Sequence, residues 1–305
     1  MIDLTLRQLR FVLALADAAH FGRAAEACGV TQPALSQQVR QIEAAFGVRL
    51  FERTTRAVHP TPFGREFLAR AALVVAGADA LAAFAQSPGG RPTRPLRFGL
   101  IPTIAPYLLP DIYPALRRAL PDIAVTASEA RTDHLLAGLR SGETDLALIA
   151  TEAPKGAGLA EAPLFADPFV LAAPRAAAMH GPVRLAELPR QSILLLDEGH
   201  CLRDQAIDAC ALRDRDLGQS FSATSLSTIV EFVANGQGIT LLPSISLRKE
   251  AADRRIALHE LEAPGAGRML RLVWRADTPF AALFEEIADV IRGLGETRLA
   301  EPLVG

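Results

Sequence analysis

Cysteine is scarce in this chain. Only Cys28, Cys201 and Cys210 occur among 305 residues, too few for the disulfide framework of a small secreted scaffold. An excess of one charge is also missing. Thirty-two Lys and Arg against 34 Asp and Glu leave a net charge of −2, so any claim on nucleic acid must rest on local features. The longest apolar run, Ala71 to Ala78, falls far short of the ~20 residues of a membrane span. The first turns carry charges throughout and resemble no targeting peptide. A cytoplasmic protein with no membrane partner is expected. His20, His59, His134, His180 and His259 are scattered without ligand spacing, which argues against a metal. Phosphate- and dinucleotide-binding motifs are lacking too, and Asn235-Gly236-Gln237-Gly238 reads as a helix-to-strand turn. No cofactor is expected. What remains is ordinary globular composition, 50% hydrophobic and 22% charged, at a length for two or three domains.

The small positive excess lies at the N-terminus, where residues 1–62 hold seven arginines against five acids. These residues read as short helices. Residues 62–86 read as one helix roughly 37 Å long, with Thr61 as cap and Pro62 at its first position. Phe63, Phe67, Ala71, Val74, Ala78, Leu81 and Ala85 form an apolar stripe along it, expected as a dimer seam. Ser87-Pro88-Gly89-Gly90-Arg91-Pro92-Thr93-Arg94-Pro95 is the clearest hinge. Beyond it, strands alternate with helices, which predicts α/β lobes around a parallel sheet, with a ligand-sized cleft between them. The expected layout is residues 1–60, a linker helix over 61–87, a hinge over 88–95, one lobe from 96–165 and 268–298, and a second lobe over 166–267.

Within residues 20–47 a first helix stops at Gly29, and Thr31 caps a second that carries Gln32 and Pro33 in its first turn. Leu35, Val39, Ile42 and Phe46 share its inward face. Gln32, Ser36, Gln37 and Arg40 lie elsewhere on its surface, and such side chains read base edges in a major groove. Two short helices joined by a Gly-containing turn make a helix-turn-helix. Arg53, Thr54 and Arg56 follow as phosphate contacts on a wing. An ordinary polar helix face fits this pattern about as well. Ala24-Ala25, Thr31 through Val39, Ile42-Glu43 and Gly47 through Arg53 resemble the winged helix-turn-helix signature of LysR-type transcriptional regulators. The resemblance covers the whole chain. It implies an α-helical winged helix-turn-helix DNA-binding domain, a long linker helix, and an α/β two-lobed regulatory domain like periplasmic binding proteins. At the junction with the linker helix, Thr61 and Gly64 match the family and Pro60 and Pro62 do not.

Residues 199–210 read GHCLRDQAIDAC. Two reduced thiols packed as small hydrophobes are one reading. The other is redox chemistry. Cys201 sits beside His200 and Arg203 at a helix start, where positive charge favours thiolate, and Cys210 is available as a resolving thiol. Glu198 and Asp204 oppose that effect. If 202–210 is helical, the two Cα atoms stand at least ~12 Å apart along the axis. A disulfide requires ~7 Å or less, so it cannot form without unwinding the helix. Gly199 through Ala206 with Cys210, Ile101-Pro102-Thr103, Pro106 through Pro110, Glu129-Ala130-x-Thr132, Ala223 through Leu226 and Gly238 through Pro243 resemble the peroxide-sensing members of the same family. That resemblance makes Cys201 peroxidatic and Cys210 resolving. It places Thr103, Thr132 and His200 around the peroxide, adds Asp204 and Arg268, and keeps Arg203 in the pocket. It further implies hydrogen peroxide, double-stranded DNA, a cellular thiol-reducing system and RNA polymerase as partners, a homodimer or homotetramer, and no enzymatic role. The alternatives are a LysR-type regulator that answers a metabolite in the interlobe cleft, and a thiol peroxidase.

Overall fold

A computed structural model describes residues 4–53, 58–86, 91–177, 181–189, 192–212, 222–263 and 265–300. The chain divides into two compact units, Met1–Pro88 with Arg140–Glu143, and Gly89–Leu139 with Thr144–Gly305.

The first unit begins with α1 (Leu6–Ala18), which Thr5 and Gln8 start as a reciprocal capping box. In α2 (Phe21–Ala27) the cap is His20, whose ring nitrogen accepts from Gly22 and Arg23. Thr31 precedes α3 (Gln32–Phe46), but its side chain makes no cap bond. Pro33 at the second helical position has no N–H to offer, which removes one of the two donors a cap normally takes. Leu35, Val39 and Ile42 are buried against Phe11, Val12, Leu15, Ala24 and Ala25, and Phe46 packs at the edge of that core. The hairpin of β1 (Phe51–Arg53) and β2 (Val58–Pro60) forms the wing, paired Phe51↔Pro60 and Arg53↔Val58. Both Leu50 and Phe51 donate their backbone N–H to Glu43 Oε1, which ties the wing to α3. Next comes α4 (Pro62–Gln86). Thr61 caps it by accepting from Gly64 N at 2.8 Å. A Cβ at Gly64 would lie 2.0 Å from Leu50 O, so this approach of helix to wing demands glycine.

The second unit runs β3 (Leu96–Leu100), α5 (Ala105–Ala119), β4 (Val125–Glu129), α6 (Thr132–Ser141), β5 (Leu146–Ile149), β6 (Leu159–Pro174), β7 (Leu195–Leu196), α7 (Cys201–Ala209), β8 (Ser222–Ala223), α8 (Leu226–Ala234), β9 (Thr240–Pro243), α9 (Leu247–Glu250), β10 (Ile256–His259), β11 (Gly267–Arg275) and α10 (Ala281–Ala300). The sheet order is β10-β6-β11-β5-β3-β4, with β9 also on β6. The sheet is mixed, and this corrects the expected parallel one. β3 pairs in parallel with β4 and β5, whereas β11 and β6 run antiparallel to their neighbours. The cause is β6. Its first ten residues pair with β11 and the rest with β9 and β10, so one 16-residue strand serves both lobes. β7 and β8 make a small parallel pair in the second lobe.

Candidate functional site

Helix α7 puts Cys201 at its first position and Cys210 at its C-cap. Nine residues at 1.5 Å each hold the two Cα atoms ~13 Å apart, beyond disulfide reach. Both thiols are free, Cys201 half-buried and Cys210 buried. Gly199 turns the chain into the helix at φ +87°, and a Cβ there would meet the Arg131 guanidinium at 2.8 Å. The end of α7 is unusual. Leu212 N bonds to Ile207 O at 3.0 Å and Ala211 N to Asp208 O at 3.1 Å, the two bonds of a Schellman motif. The left-handed position of that motif, normally glycine, is Ala211 at φ 49°.

The Cys201 pocket is assembled from distant segments. The Thr132 hydroxyl at the start of α6 hydrogen-bonds the Cys201 sulfur. Arg268 from β11 reaches Thr103 twice, with Nη1 to Oγ1 at 2.8 Å and Nη2 to the carbonyl at 3.0 Å. Its Nε donates to Asp167 Oδ2 at 2.9 Å, and both side chains of this pair are 0% exposed. Asp167 Oδ1 accepts from Ile245 N at 3.1 Å. Thr103 Oγ1 is thus an acceptor toward Arg268 and keeps its own proton to donate. Asp167 was not expected from the sequence. The available signal was an acid inside the buried apolar run Phe165 to Ala173, since a buried charge demands a partner.

Burial pushes the Cys201 thiol above its ordinary value. Arg268 and the Thr132 hydrogen bond pull it back, while Asp204 pushes it up. The charge argument from His200 and Arg203 is therefore corrected. His200 is buried, and burial followed by the Arg131 charge lowers its pKa against Asp197, which keeps the ring neutral. Arg203 turns away and donates to Leu196 O at 2.9 Å. The cation acting on the sulfur is Arg268. Cys210 is buried, and that burial pushes its thiol up to about 11. Gln205, one turn after Cys201, donates to Ala150 O at 2.6 Å and ties α7 to the end of β5.

On the first unit, Gln32, Pro33, Gln37 and Arg40 are exposed along α3 and Ser36 is half-buried. Arg40 Nε rests on Ser36 O at 3.3 Å. The backbone of Arg53 ends β1. Its side chain, with Thr54 and Arg56, lies outside the described residues.

Residues 6–65 match the bacterial regulatory helix-turn-helix of the lysR family, and residues 89–295 match the LysR substrate binding domain. A hydrogen peroxide-inducible genes activator from Pectobacterium carotovorum is 39% identical over 291 residues, covering 95% of this chain and 96% of that protein. A full-length OxyR from Pseudomonas aeruginosa with a cysteine-to-aspartate substitution superposes with a TM-score of 0.77 at 35% identity, over 95% of this chain and 98% of that one. A cysteine-to-serine OxyR from Corynebacterium glutamicum, bound to hydrogen peroxide, gives a TM-score of 0.65 at 33% identity, over 98% and 95% of the two chains.

Proposed function

The chain belongs to the LysR family of bacterial regulators, and we propose that it senses hydrogen peroxide and reports to DNA through a Cys201–Cys210 disulfide. The observation that carries this reading is the setting of Cys201. Its sulfur accepts the Thr132 hydrogen bond, feels the Arg268 charge, and shares a helix with a second thiol. The relatives' names, hydrogen peroxide-inducible genes activator and OxyR, support the same reading.

The chemistry runs in two steps. The Cys201 thiolate attacks one peroxide oxygen, the O–O bond breaks, and the departing hydroxide takes a proton to leave as water. The sulfur is oxidised to sulfenic acid. Thr103 and Thr132 orient the peroxide, with His200 closing the pocket and Asp204 at its edge. The Cys210 thiol then attacks that sulfur, an S–S bond forms, and a second water leaves. This step requires α7 to unwind. A cellular thiol-reducing system restores the dithiol. Each cycle consumes peroxide as a signal that changes the state of α7, so the protein acts as a regulator rather than a dedicated peroxidase.

Residues 1–60 bind double-stranded DNA. Gln32, Pro33, Ser36, Gln37 and Arg40 face the major groove, and Arg53, Thr54 and Arg56 face phosphates. Residues 61–87 join subunits into a homodimer or homotetramer, and 88–95 hinge them to the lobes 96–165 with 268–298, and 166–267. The bound regulator engages RNA polymerase in the cytoplasm. The test titrates reduced full-length protein with peroxide and follows thiol loss, peptide mass and promoter footprint together. A Cys201–Cys210 peptide pair that appears with a changed footprint is expected. A Cys28 linkage, or a footprint indifferent to oxidation, overturns the reading.

A further inference from the structure

Behind the Cys201 pocket an ion pair is shut away from water. Asp167 on β6 and Arg268 on β11 have side chains that are both 0% exposed. A pair this deep often stabilises a fold no more than apolar side chains of the same size would, because desolvation offsets the attraction. Stability alone does not account for it. Asp167 grips the guanidinium at Nε, while the two terminal nitrogens donate to the Thr103 hydroxyl and carbonyl. The carboxylate and the peroxide pocket therefore hold different parts of one cation.

Asp167 fits its surroundings as a carboxylate. Burial pushes its carboxyl up, and Arg268 with the Ile245 and Ser244 N–H groups pulls it down. All three partners are donors, so an acid proton would have no acceptor among them. The charges that face the Cys201 sulfur are few. Arg268 from β11 favours thiolate and Asp204 from α7 opposes it, while the Thr132 hydroxyl of α6 and the Leu202 N–H add hydrogen bonds. His200 at the helix start is neutral. Tyr107 of α5 also feels Arg268, but burial and Glu250 of α9, to which its hydroxyl donates, raise it far above neutrality. With Asp167 made neutral, Cys201 is the group left to supply Arg268 with a counter-anion.

We propose that Asp167 is a positioning residue for the reaction of Cys201: it holds Arg268 at Nε, offsets the guanidinium charge at the sulfur, and so sets how much of Cys201 is thiolate at neutral pH. The inference deepens the peroxide reading and rests on it. A masked cation keeps the thiolate fraction small, and with it the rate of attack on peroxide. A merely structural Asp167 predicts the opposite sign. Its loss would let Arg268 leave the pocket, and thiolate would become harder to form.

The test uses reduced full-length protein, wild type and Asp167→Asn, with the fold checked by circular dichroism. Mass-resolved iodoacetamide labelling of Cys201 across pH reads its thiolate without peroxide. In Asp167→Asn the rising limb should move down by about one pH unit, the lower end of what a nearby opposite charge produces. Stopped-flow oxidation by peroxide should follow with a smaller gain, because a less basic sulfur is a weaker nucleophile. About tenfold more thiolate at neutral pH, with a Brønsted slope of about 0.5, gives a reaction about threefold faster, and the plateau at high pH falls about threefold. Asp167→Ser, smaller and also neutral, makes the same comparison if the amide does not fold. Asp167→Glu keeps the charge and should keep the wild-type limb. A limb that stays or rises in the neutral variants, or one that falls equally in Asp167→Glu, overturns the proposal. The expected labelling shifts in a protein whose wild-type Cys201 ignores peroxide would overturn the peroxide reading and leave the assignment of Asp167 standing.

Discussion

Arg268 connects three functions of this protein through one guanidinium. It neutralises buried Asp167, braces Thr103 and lowers the Cys201 thiol against burial. Replacing it with methionine strands the carboxylate, which typically costs about 3–5 kcal/mol. Arg268→Met should therefore lower the urea midpoint and slow Cys201 oxidation together. The pH behaviour has a definite sign. Burial raises the thiol, so little thiolate exists at neutrality and the peroxide rate should climb with pH through and above that range. Thr132 stabilises the thiolate by its hydrogen bond, so Thr132→Val should move the rising limb to higher pH. Thr103 bonds Arg268 instead, so Thr103→Val should lower the plateau without moving the limb. Stopped-flow oxidation across pH separates the two, and identical profiles would remove the hydroxyls from the chemistry. The cysteines of this pocket are legible in the sequence itself, and its threonines and Arg268 through the family resemblance. Its electrostatics are not. Asp167 and Arg268 lie 101 positions apart, and His200 and Arg203, the obvious sequence neighbours, are respectively neutral and turned away.

Helix α7 is the element that must yield, and its end is built weakly. Its Schellman close uses Ala211 in the left-handed region, where a side chain costs roughly 1–2 kcal/mol and glycine costs none. Ala211→Gly should stabilise the reduced protein by about 0.5–1 kcal/mol, after the extra entropy glycine gives the unfolded chain. The same change should slow disulfide closure, because the helix must open before Cys201 and Cys210 meet. Amide exchange within 202–209, measured before and after peroxide, reads both effects. Unchanged protection in the variant would show that opening starts elsewhere. Elements with clear caps were legible at this scale. α8 starts where its sequence signals a helix, with the Ser225 side chain accepting from Thr228 N as its cap. Pro163, Asp167 and Pro168 interrupt the strand pattern of the long β6, so only its last part carries a clear strand signal in the sequence. Nothing in that local periodicity reveals antiparallel neighbours, so the alternation of strands and helices points to a parallel sheet where the fold is mixed.

At the scale of the whole molecule, the proposed dimer seam on α4 can use only the face that the folded unit leaves open. The expected stripe splits in the folded unit. Leu68, Ala71 and Val75 are buried against the chain's own helices, and Phe67 packs edge-on to Phe46 with ring centroids 5.4 Å apart. Phe63, Val74 and Leu81 remain exposed at 45%, 54% and 69%. Positions 63, 74 and 81 fall within about 20° of each other around an ideal helix, so they form one continuous face. The sequence periodicity could not separate the two sets, because an inward and an outward apolar face on one helix merge into a single broad stripe. A charge at Phe67 would damage the domain core and blur any effect on assembly. Val74→Asp with Leu81→Asp touches only the exposed face. It should move the protein toward monomer in sedimentation and weaken binding at paired half-sites, where two-fold symmetric proteins gain from both contacts. Oxidation of Cys201 should proceed at its normal rate, since the redox pocket is built wholly within the second unit. A variant that stays dimeric would assign the seam to another surface, and one that loses peroxide reactivity would show that assembly and the pocket are coupled.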